Sequence, residues 1–301
     1  MGNVQEPAHG GLRTLRDIGE ALDRDEYPMV GQDGLVMPGA RSPSYSPGEG
    51  ERVRVEQPEA GSEGPAAREG EGSSAAGSAA AGGQALLLGQ LGLSEGMRHD
   101  LGVVAAAYPS LRVRVTPPVV WLLSTNRPIE GLPDKAYLLT AISMDAKALV
   151  PGRPNPISSW AWWDLGIWIG PRHTNYGDGS ICSFEPKHGT WRPGESLIKL
   201  LDLHSVWIAR QLHLRHLGRW PGDQVIHTAY ERVAENAPDE LCGCGSFRRY
   251  DECHRALDEA TPAYQRDRGF HARMRNPARR PPSEAWAMLG KLRTAGAVCP
   301  T

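Results

Sequence analysis

Long apolar runs are missing from this sequence of 301 residues. No stretch approaches the roughly 18 to 20 consecutive apolar residues that a membrane-spanning helix needs, and the first residues lack the apolar core of a signal peptide. A formal net charge of −2 gives no electrostatic reason to expect a nucleic acid or a membrane surface as a partner. We therefore expect a cytoplasmic protein with neither kind of partner.

Cysteine is also scarce. The chain has five cysteines, an odd number, and three of them fall within residues 242–253. A framework of paired disulfides would use an even number spread along the chain. The crowding favours thiol chemistry or metal binding instead.

Residues 59–83 have almost no side chains that could form a core. Gly, Ala, Ser and Glu fill 23 of these 25 positions, and aromatic and branched aliphatic residues are absent. Such a stretch cannot bury enough apolar surface to offset the conformational entropy lost on folding. The residues before it are rich in Pro, Gly and charge, so we predict that residues 1–84 are largely disordered.

The chain beyond residue 84 has the periodicities of a helix, several strands and further helices. Apolar residues recur at helical spacing between 84 and 107 and again between 197 and 212, with another helix expected over 223–235. Four short β-rich runs lie between the first two helices, at 111–115, 119–123, 137–142 and 161–169. This order predicts an α+β fold in which helices flank an antiparallel meander.

The last segment, residues 259–301, is basic. Between Arg266 and Arg293 it carries eight Lys or Arg residues and few acidic ones. An acidic partner could bind such a surface, but a solvated basic face is the simpler interpretation. We predict a basic tail that contains a short helix.

A metal site is predicted within residues 238–258. Cys242, Cys244, Cys253 and His254 follow the spacing C-x-C-x8-C-H, and four such ligands complete a tetrahedral Zn²⁺ shell with no open position. We therefore expect a structural zinc ion, the alternative being buried or redox-active thiols. Residues 242–254 resemble the SEC-C zinc knuckle at the end of the preprotein translocase ATPase, except at Phe247. In its known settings that knuckle is a docking module.

A second candidate site lies in the turn-rich stretch from His173 to Cys182. Gly177 and Gly179 permit positive φ angles in it, and the stretch would deliver Cys182 onto a loop outside the sheet with Asn175 close in sequence. An accessible cysteine beside a hydrogen-bonding amide suits a nucleophile. A buried structural cysteine is the competing interpretation.

Residues 84–220 resemble E2 ubiquitin-conjugating enzymes in the order of their motifs. Those enzymes have a meander, a His-Pro-Asn tripeptide, a Gly-containing loop, an Ile-Cys-Leu element and a Trp-Ser-Pro turn before a long helix. Here the order is the meander, His173-Thr-Asn175, the Gly loop, Ile181-Cys182-Ser183 and Trp191-Arg-Pro193 before the predicted helix. Thr174 and Ser183 depart from the family pattern. The resemblance implies an E2-like domain at residues 85–237.

The same resemblance implies roles for the site residues. Cys182 would carry an acyl group as a thioester, Asn175 would donate a hydrogen bond to the oxyanion, and His173 would brace the loop. Asp178, Asp202 and Asp223 are candidates for the acidic residue that helps deprotonate the attacking lysine.

The family also implies partners. The acyl donor would be a protein with an exposed C-terminus, either a ubiquitin-like protein or a cyclic-oligonucleotide synthase, as for bacterial relatives in antiphage operons. The sequence has no Gly-rich nucleotide-binding fingerprint before a helix, so a separate E1-like activating enzyme would be needed unless the donor arrives activated. Two alternatives stay open: a non-catalytic E2-like scaffold, and a cysteine hydrolase that pairs Cys182 with His173 or His188.

Two further clusters have simpler interpretations. Trp160, Trp162, Trp163 and Trp168 are expected to pack in the core or on a sheet face rather than to form an aromatic cage. The spacing of the four histidines between residues 204 and 227 forms no convincing chelate, so we assign them to packing and surface.

Overall fold

The computed structural model describes residues 9–26, 29–31, 34–36, 95–132, 134–144, 157–164, 166–183, 191, 195–274, 279–294 and 298–299. Within these residues a mixed sheet is enclosed by helices, so the α+β class predicted from the sequence is confirmed at this level. No helix in the described ranges has the length and apolar character needed to cross a membrane.

The centre of the fold is an antiparallel meander. A small separate hairpin, β1 and β2, precedes it. The strands are β1 Met29–Gly31, β2 Gly34–Val36, β3 Arg112–Thr116, β4 Val119–Thr125, β5 Ala136–Ser143, β6 Ile157–Trp163, β7 Ile167–Trp168 and β8 Val298–Cys299. Among the described strands the main sheet has the order β7-β6-β5-β4-β3-β8, antiparallel throughout except that β8 pairs in parallel with β3.

Both faces of the meander are buried: β4 and β5 are mostly apolar, and nearly every one of their residues is shielded from solvent. The helices that cover it are α1 His9–Asp23, α2 Glu95–Ala107, α3 Leu197–Leu217, α4 Ala229–Glu235, α5 Arg255–Ala260, α6 Ala263–Arg273 and α7 Ser283–Thr294. One face packs on α3, which is flanked by α1 and α2. The other face packs on α7, where Met288 and Leu289 lie in one cluster with Trp121 and Trp160.

The tryptophans of β6 therefore belong to the core, as the sequence suggested. Trp160 and Trp162 are fully buried beneath α7, and Trp163 is buried in the opposite face with α3 and α1. The run at 161–169 is nevertheless two strands and not one. Asp164 takes a positive φ of 46° and the chain reverses, so Trp168 of β7 pairs with Trp162.

The prediction of disorder is wrong for residues 9–26. They form α1 and the turn after it, and Leu15, Ile18 and Leu22 of this helix are buried in the core against α3. Leu35 of β2 is buried in the same cluster. The low-complexity stretch at 59–83 lies outside the described residues.

Two boundaries near the chain's end also differ from prediction. The helix expected over 223–235 begins only at Ala229, since Thr228 caps it: the Thr228 hydroxyl accepts the Glu231 N–H at 3.2 Å and donates to the Glu231 carboxylate at 2.8 Å. The segment at 259–301 contains two helices, α6 and α7, and not one short helix on a basic tail. The apolar residues of α7 cover one face of the sheet. The prediction rested on the charge of this segment and did not include that packing.

We predict that α1 contributes substantially to stability. Replacing buried Ile18 by Ala should lower the free energy of unfolding by about 2–4 kcal/mol, because it opens a cavity between α1 and α3. Replacing exposed Arg16 by Ala in the same helix should change it by less than about 0.5 kcal/mol. Urea unfolding measures both. Equal effects would mean that α1 does not belong to the core.

Candidate functional site

Residues 173–182 form a short hairpin, named here the Cys182 hairpin, that leaves the sheet beside β6. Thr174 and Ile181 form its central bridge, and the Cys182 N–H donates to the His173 carbonyl at 3.1 Å. The Ile181 N–H donates to the Ser159 carbonyl of β6 at 2.7 Å. The thiol is therefore placed by backbone hydrogen bonds that lead directly from the meander.

The tip of the Cys182 hairpin requires glycine. Gly179 has a φ of 63°, and a Cβ at this position would lie 2.7–2.8 Å from backbone atoms of Arg280. The neighbouring Asp178 is buried, accepts hydrogen bonds from the Ser180 N–H and hydroxyl, and its carbonyl accepts the Trp160 indole N–H at 2.8 Å. The tip is thus fixed from inside by the sheet and from outside by the segment before α7.

Cys182 is exposed, whereas Ile181 before it is buried in the core. Asn175 lies on the opposite strand of the Cys182 hairpin. Its side-chain amide donates to the Ser180 hydroxyl at 3.1 Å and to the Ile181 carbonyl at 3.2 Å. The structure therefore brings Asn175 and Cys182 together on one hairpin, with the amide bonded to the peptide group that precedes the thiol.

His173 is held at the base of the Cys182 hairpin by its backbone and by its ring. Its carbonyl accepts the Trp207 indole N–H at 3.0 Å in addition to the Cys182 N–H. Its ring stacks on Trp220 with centroids 3.7 Å apart. Burial, aided by the positive charge of Arg172, lowers the pKa of His173 well below its usual range. The imidazole is therefore neutral at pH 7.

A buried ion pair lies directly before His173. Arg172 forms a two-pronged contact with Glu240, which is completely buried; one prong, from Nη1 to Oε1, measures 3.1 Å. Glu240 also accepts the Trp220 backbone N–H at 2.6 Å, and Gln224 bonds to both members of the pair. The Gln211 amide of α3 donates to the Arg172 carbonyl at 3.0 Å. A buried carboxylate is thus fully engaged by hydrogen bonds and charge.

A second cluster of charged residues contacts the tip of the Cys182 hairpin. Arg279 donates to Glu231 at 2.6 Å and to Glu235 at 2.7 Å, both on α4, and also contacts the Tyr176 hydroxyl. Its guanidinium lies 3.8 Å from the centroid of the Tyr176 ring. Sequence reasoning missed this cluster and the Arg172–Glu240 pair. Residues so far apart in sequence give no local signal.

The three acidic candidates for lysine activation are occupied elsewhere. Asp178 is buried and caps the turn with Ser180. Asp202 accepts the Tyr108 hydroxyl at 2.6 Å, and Asp223 accepts a backbone N–H of the next residue at 2.8 Å. His188, the other histidine proposed for a hydrolase pair, lies outside the described residues.

Cys242, Cys244, Cys253 and His254 converge as their spacing predicted. Their three sulfur atoms and one imidazole nitrogen all lie within 4.8 Å of one another. Cys242 Sγ lies 3.3 Å from His254 Nδ1, Cys244 Sγ lies 3.6 Å from Cys253 Sγ, and Cys253 Sγ lies 3.1 Å from His254 Nδ1. Tetrahedral ligands at usual metal distances stand about 3.5–3.8 Å apart, so this cluster can hold a metal ion.

The backbone around the cluster explains how four ligands fit in so short a segment. Gly243 and Gly245 have φ angles of 72° and 84°, and Gly243 packs on Ile226 so closely that a Cβ would lie 2.9 Å from its side chain. The Cys242 N–H donates to the Arg248 carbonyl at 2.8 Å and closes the loop. The Ser246 hydroxyl lies 3.1 Å from Cys244 Sγ and 3.2 Å from Cys253 Sγ, where it can stabilise thiolate charge.

The four histidines assigned to packing and surface behave differently from the ligand His254. His204 is buried in α3, and burial lowers its pKa to about 3. His213 donates from Nδ1 to the Arg219 carbonyl at 2.8 Å, and His216 pairs with Asp134. Within the described residues none of them joins a metal cluster.

Comparison with known proteins gives no assignment: no family model, no curated protein and no solved structure matches this chain.

We predict that the purified chain binds about one metal ion through the four ligands. Cys253→Ser should lose the metal, since serine is a far weaker ligand for a soft site. Cys299→Ser, at a cysteine that the predicted ligand set does not include, should retain it. Elemental analysis by mass spectrometry gives the stoichiometry. Equal metal content in both variants would exclude the cluster as the site.

We also predict that the His173 ring does not assist the alkylation of Cys182. A neutral His173 provides no imidazolium to hold a thiolate at acidic pH, so the rate should show no acid plateau. His173→Asn, which tolerates the observed φ of 55°, should give the same profile. Peptide-resolved mass spectrometry measures the rate. A plateau that disappears in His173→Asn would instead support the cysteine hydrolase.

Proposed function

We propose that this chain is an E2-like acyl carrier that forms a thioester at Cys182 and passes the acyl group to an amine. The observation that carries the proposal is the exposed thiol at the end of a hairpin that is fixed at its base and its tip, directly after an antiparallel meander. A structural cysteine is normally buried, whereas a carrier thiol needs access and a defined position.

The proposed chemistry is two acyl transfers. In the first, the Cys182 thiol loses its proton to solvent, Sγ forms a bond to the carbonyl carbon of an activated C-terminus, and the donor's leaving group departs with the electron pair. In the second, an amine nitrogen bonds to that carbon, the C–S bond breaks, and Cys182 leaves as a thiolate while the ammonium proton passes to solvent. Both steps pass through an oxyanion, which a positioned hydrogen-bond donor stabilises.

Asn175 is the donor we propose for the oxyanion. Its amide already bonds to the peptide carbonyl that precedes Cys182, so it lies beside the reacting group. One of its two hydrogens would exchange the Ser180 hydroxyl or the Ile181 carbonyl for the oxyanion during the reaction, and such contacts commonly tighten only when substrate is bound. His173 acts through its backbone, since its neutral, stacked ring serves packing.

Amine activation would depend on desolvation in this proposal. The acidic candidates Asp178, Asp202 and Asp223 are each engaged in structural hydrogen bonds. A thioester is already an activated acyl group, so a desolvated amine at a fixed distance needs little further assistance. This distinguishes the proposed chemistry from a mechanism with a dedicated general base.

We propose Zn²⁺ as the metal of the four-ligand cluster and assign it a structural role. Three thiolates and one imidazole are the ligands typical of closed zinc sites, and four protein ligands leave no position for substrate. In so short a segment the metal would contribute much of the folding free energy. The ion would hold residues 238–258 in shape and take no part in acyl transfer.

The donor in this proposal is a protein with an exposed C-terminus, either a ubiquitin-like protein or a cyclic-oligonucleotide synthase, activated by a separate E1-like enzyme. An antiphage role in the cytoplasm follows from the same E2 resemblance. An exposed thiol on an outer hairpin supports a macromolecular donor, because a protein C-terminus can reach it without a deep cleft.

We predict a thiol-sensitive adduct on Cys182 when the chain is expressed with its genomic neighbours. Cys182→Ala should abolish the adduct, and Cys182→Ser should convert it to an ester that resists thiols, because oxygen esters exchange with thiols far more slowly than thioesters do. Non-reducing gel electrophoresis and intact mass measure it, and the mass identifies the donor.

The matched control is Cys299→Ser, which should keep the adduct. A folded, metal-loaded wild type without an adduct would contradict the carrier and favour a non-catalytic scaffold. An adduct that survives Cys182→Ala would place the nucleophile elsewhere.

A further inference from the structure

We propose that Glu240 is a positioning residue that transmits the state of the metal cluster to the Cys182 hairpin. The proposal rests on the proposed function only for its catalytic consequence; the coupling itself is a property of the fold. It follows from contacts that join the two sites through one buried carboxylate.

The first link runs from the metal ligands to Glu240. Glu240 lies two residues before Cys242, and the chain between them is fixed at both ends: Tyr250 N–H donates to the Glu240 carbonyl at 2.8 Å, and Leu241 bridges to Arg249. Both partners belong to residues 242–254, the segment between the first and last of the four predicted metal ligands, which is named here the ligand loop. Metal binding therefore determines the position of the Glu240 backbone.

The second link runs from Glu240 to the Cys182 hairpin. The Glu240 carboxylate holds the Arg172 guanidinium in a two-pronged contact, and Arg172 is the residue immediately before His173. His173 in turn supplies the carbonyl that accepts the Cys182 N–H. Displacement of Glu240 would thus reach the thiol through one ion pair and two adjacent residues.

A third link joins the segment before α4 to the same ligand loop. The Gln224 amide donates to the Leu241 carbonyl at 2.6 Å and accepts from Arg172 at 3.2 Å, and the Ile226 N–H donates to the Gly243 carbonyl at 3.0 Å. These bonds lie in parallel with the ion pair. They would weaken together with it if the ligand loop opened.

Burial makes the link obligatory. Glu240 is completely buried and Arg172 is 9% exposed, so neither charge can be transferred to water while the other stays in place. Removing one member leaves the other unpaired in a medium of low polarity, which is strongly unfavourable. The Arg172–Glu240 pair therefore keeps the base of the Cys182 hairpin and the ligand loop in contact.

The tip of the Cys182 hairpin has its own anchor, so the coupling should act on the base and on the Cys182 amide. Arg279 holds Tyr176 and the two glutamates of α4, and near the base it donates only one longer bond, to the Pro171 carbonyl at 3.4 Å. Loss of the Glu240 link should accordingly loosen one part of the hairpin and leave the meander and the Arg279 cluster intact.

The experiment is hydrogen exchange of the full-length chain, resolved to peptides by mass spectrometry, with zinc bound and after removal by a chelator. Chelation of wild type should accelerate exchange in residues 173–182 by at least about tenfold, and change β4 and β5 by less than about twofold. Adding zinc back should restore the slow exchange. No acyl donor is needed, so this result stands or fails independently of thioester formation.

Glu240→Gln decides whether the carboxylate transmits the effect. With zinc bound, this variant should already show the fast exchange in residues 173–182, and zinc removal should add less than about twofold. Glu252→Gln is the matched control, because Glu252 is an exposed carboxylate in the ligand loop, and it should behave as wild type. Arg172→Lys replaces Glu240→Gln if the latter does not fold, since it keeps the charge but loses the two-pronged geometry.

Three outcomes would overturn the proposal. The first is unchanged exchange of the Cys182 hairpin after zinc loss. The second is wild-type coupling in Glu240→Gln or Arg172→Lys. The third is accelerated exchange throughout the meander, because the metal would then support the whole fold and not the hairpin through Glu240.

Discussion

The burial of both faces of the meander is the constraint from which the rest of the architecture follows. β4 and β5 have apolar side chains on either face, so one helical layer cannot shield them. One face is covered by α3, α1 and α2, and the other face is covered by α7. Since α7 comes from the end of the chain, residues 279–280 must pass over the Cys182 hairpin, and this passage places Arg279 against Tyr176 and Arg280 against Gly179.

Local pattern was sufficient for most of the fold and for the metal ligands. The alternation in β3 and the apolar runs of β4 and β5 predicted the meander, and the spacing of Cys242, Cys244, Cys253 and His254 predicted a cluster whose ligand atoms do converge. Composition misled where it was averaged over long segments. Leu15, Ile18 and Leu22 have helical spacing, but the average composition of residues 1–84 predicted disorder for the whole segment. In the same way, the basic charge of residues 259–301 predicted a tail and not the apolar face of α7.

The charged clusters could not have been predicted in this way. Arg172 and Glu240 are 68 residues apart, and Arg279 and Tyr176 are 103 residues apart, so their pairing depends on the completed tertiary structure. Cys182 was predicted as a nucleophile from the motif order around it, whereas the roles proposed for Asn175 and His173 depend on distances. The sequence indicated which residue types belong to the hairpin; the structure gives the neutral, stacked ring of His173 and the bonded amide of Asn175.

The parallel pairing of β8 with β3 has a consequence for association between copies of the chain. An open strand edge presents unpaired peptide groups that can template another sheet, and proteins commonly protect such edges. Here β8 covers part of one edge at Val113 and Arg114. At the other edge β7 pairs with the end of β6, and the Ile181 N–H donates to the Ser159 carbonyl further along β6. Part of each edge is thus already hydrogen-bonded within the chain. The described sheet is therefore protected against edge-to-edge aggregation even though its central strands are among the most apolar segments of the chain.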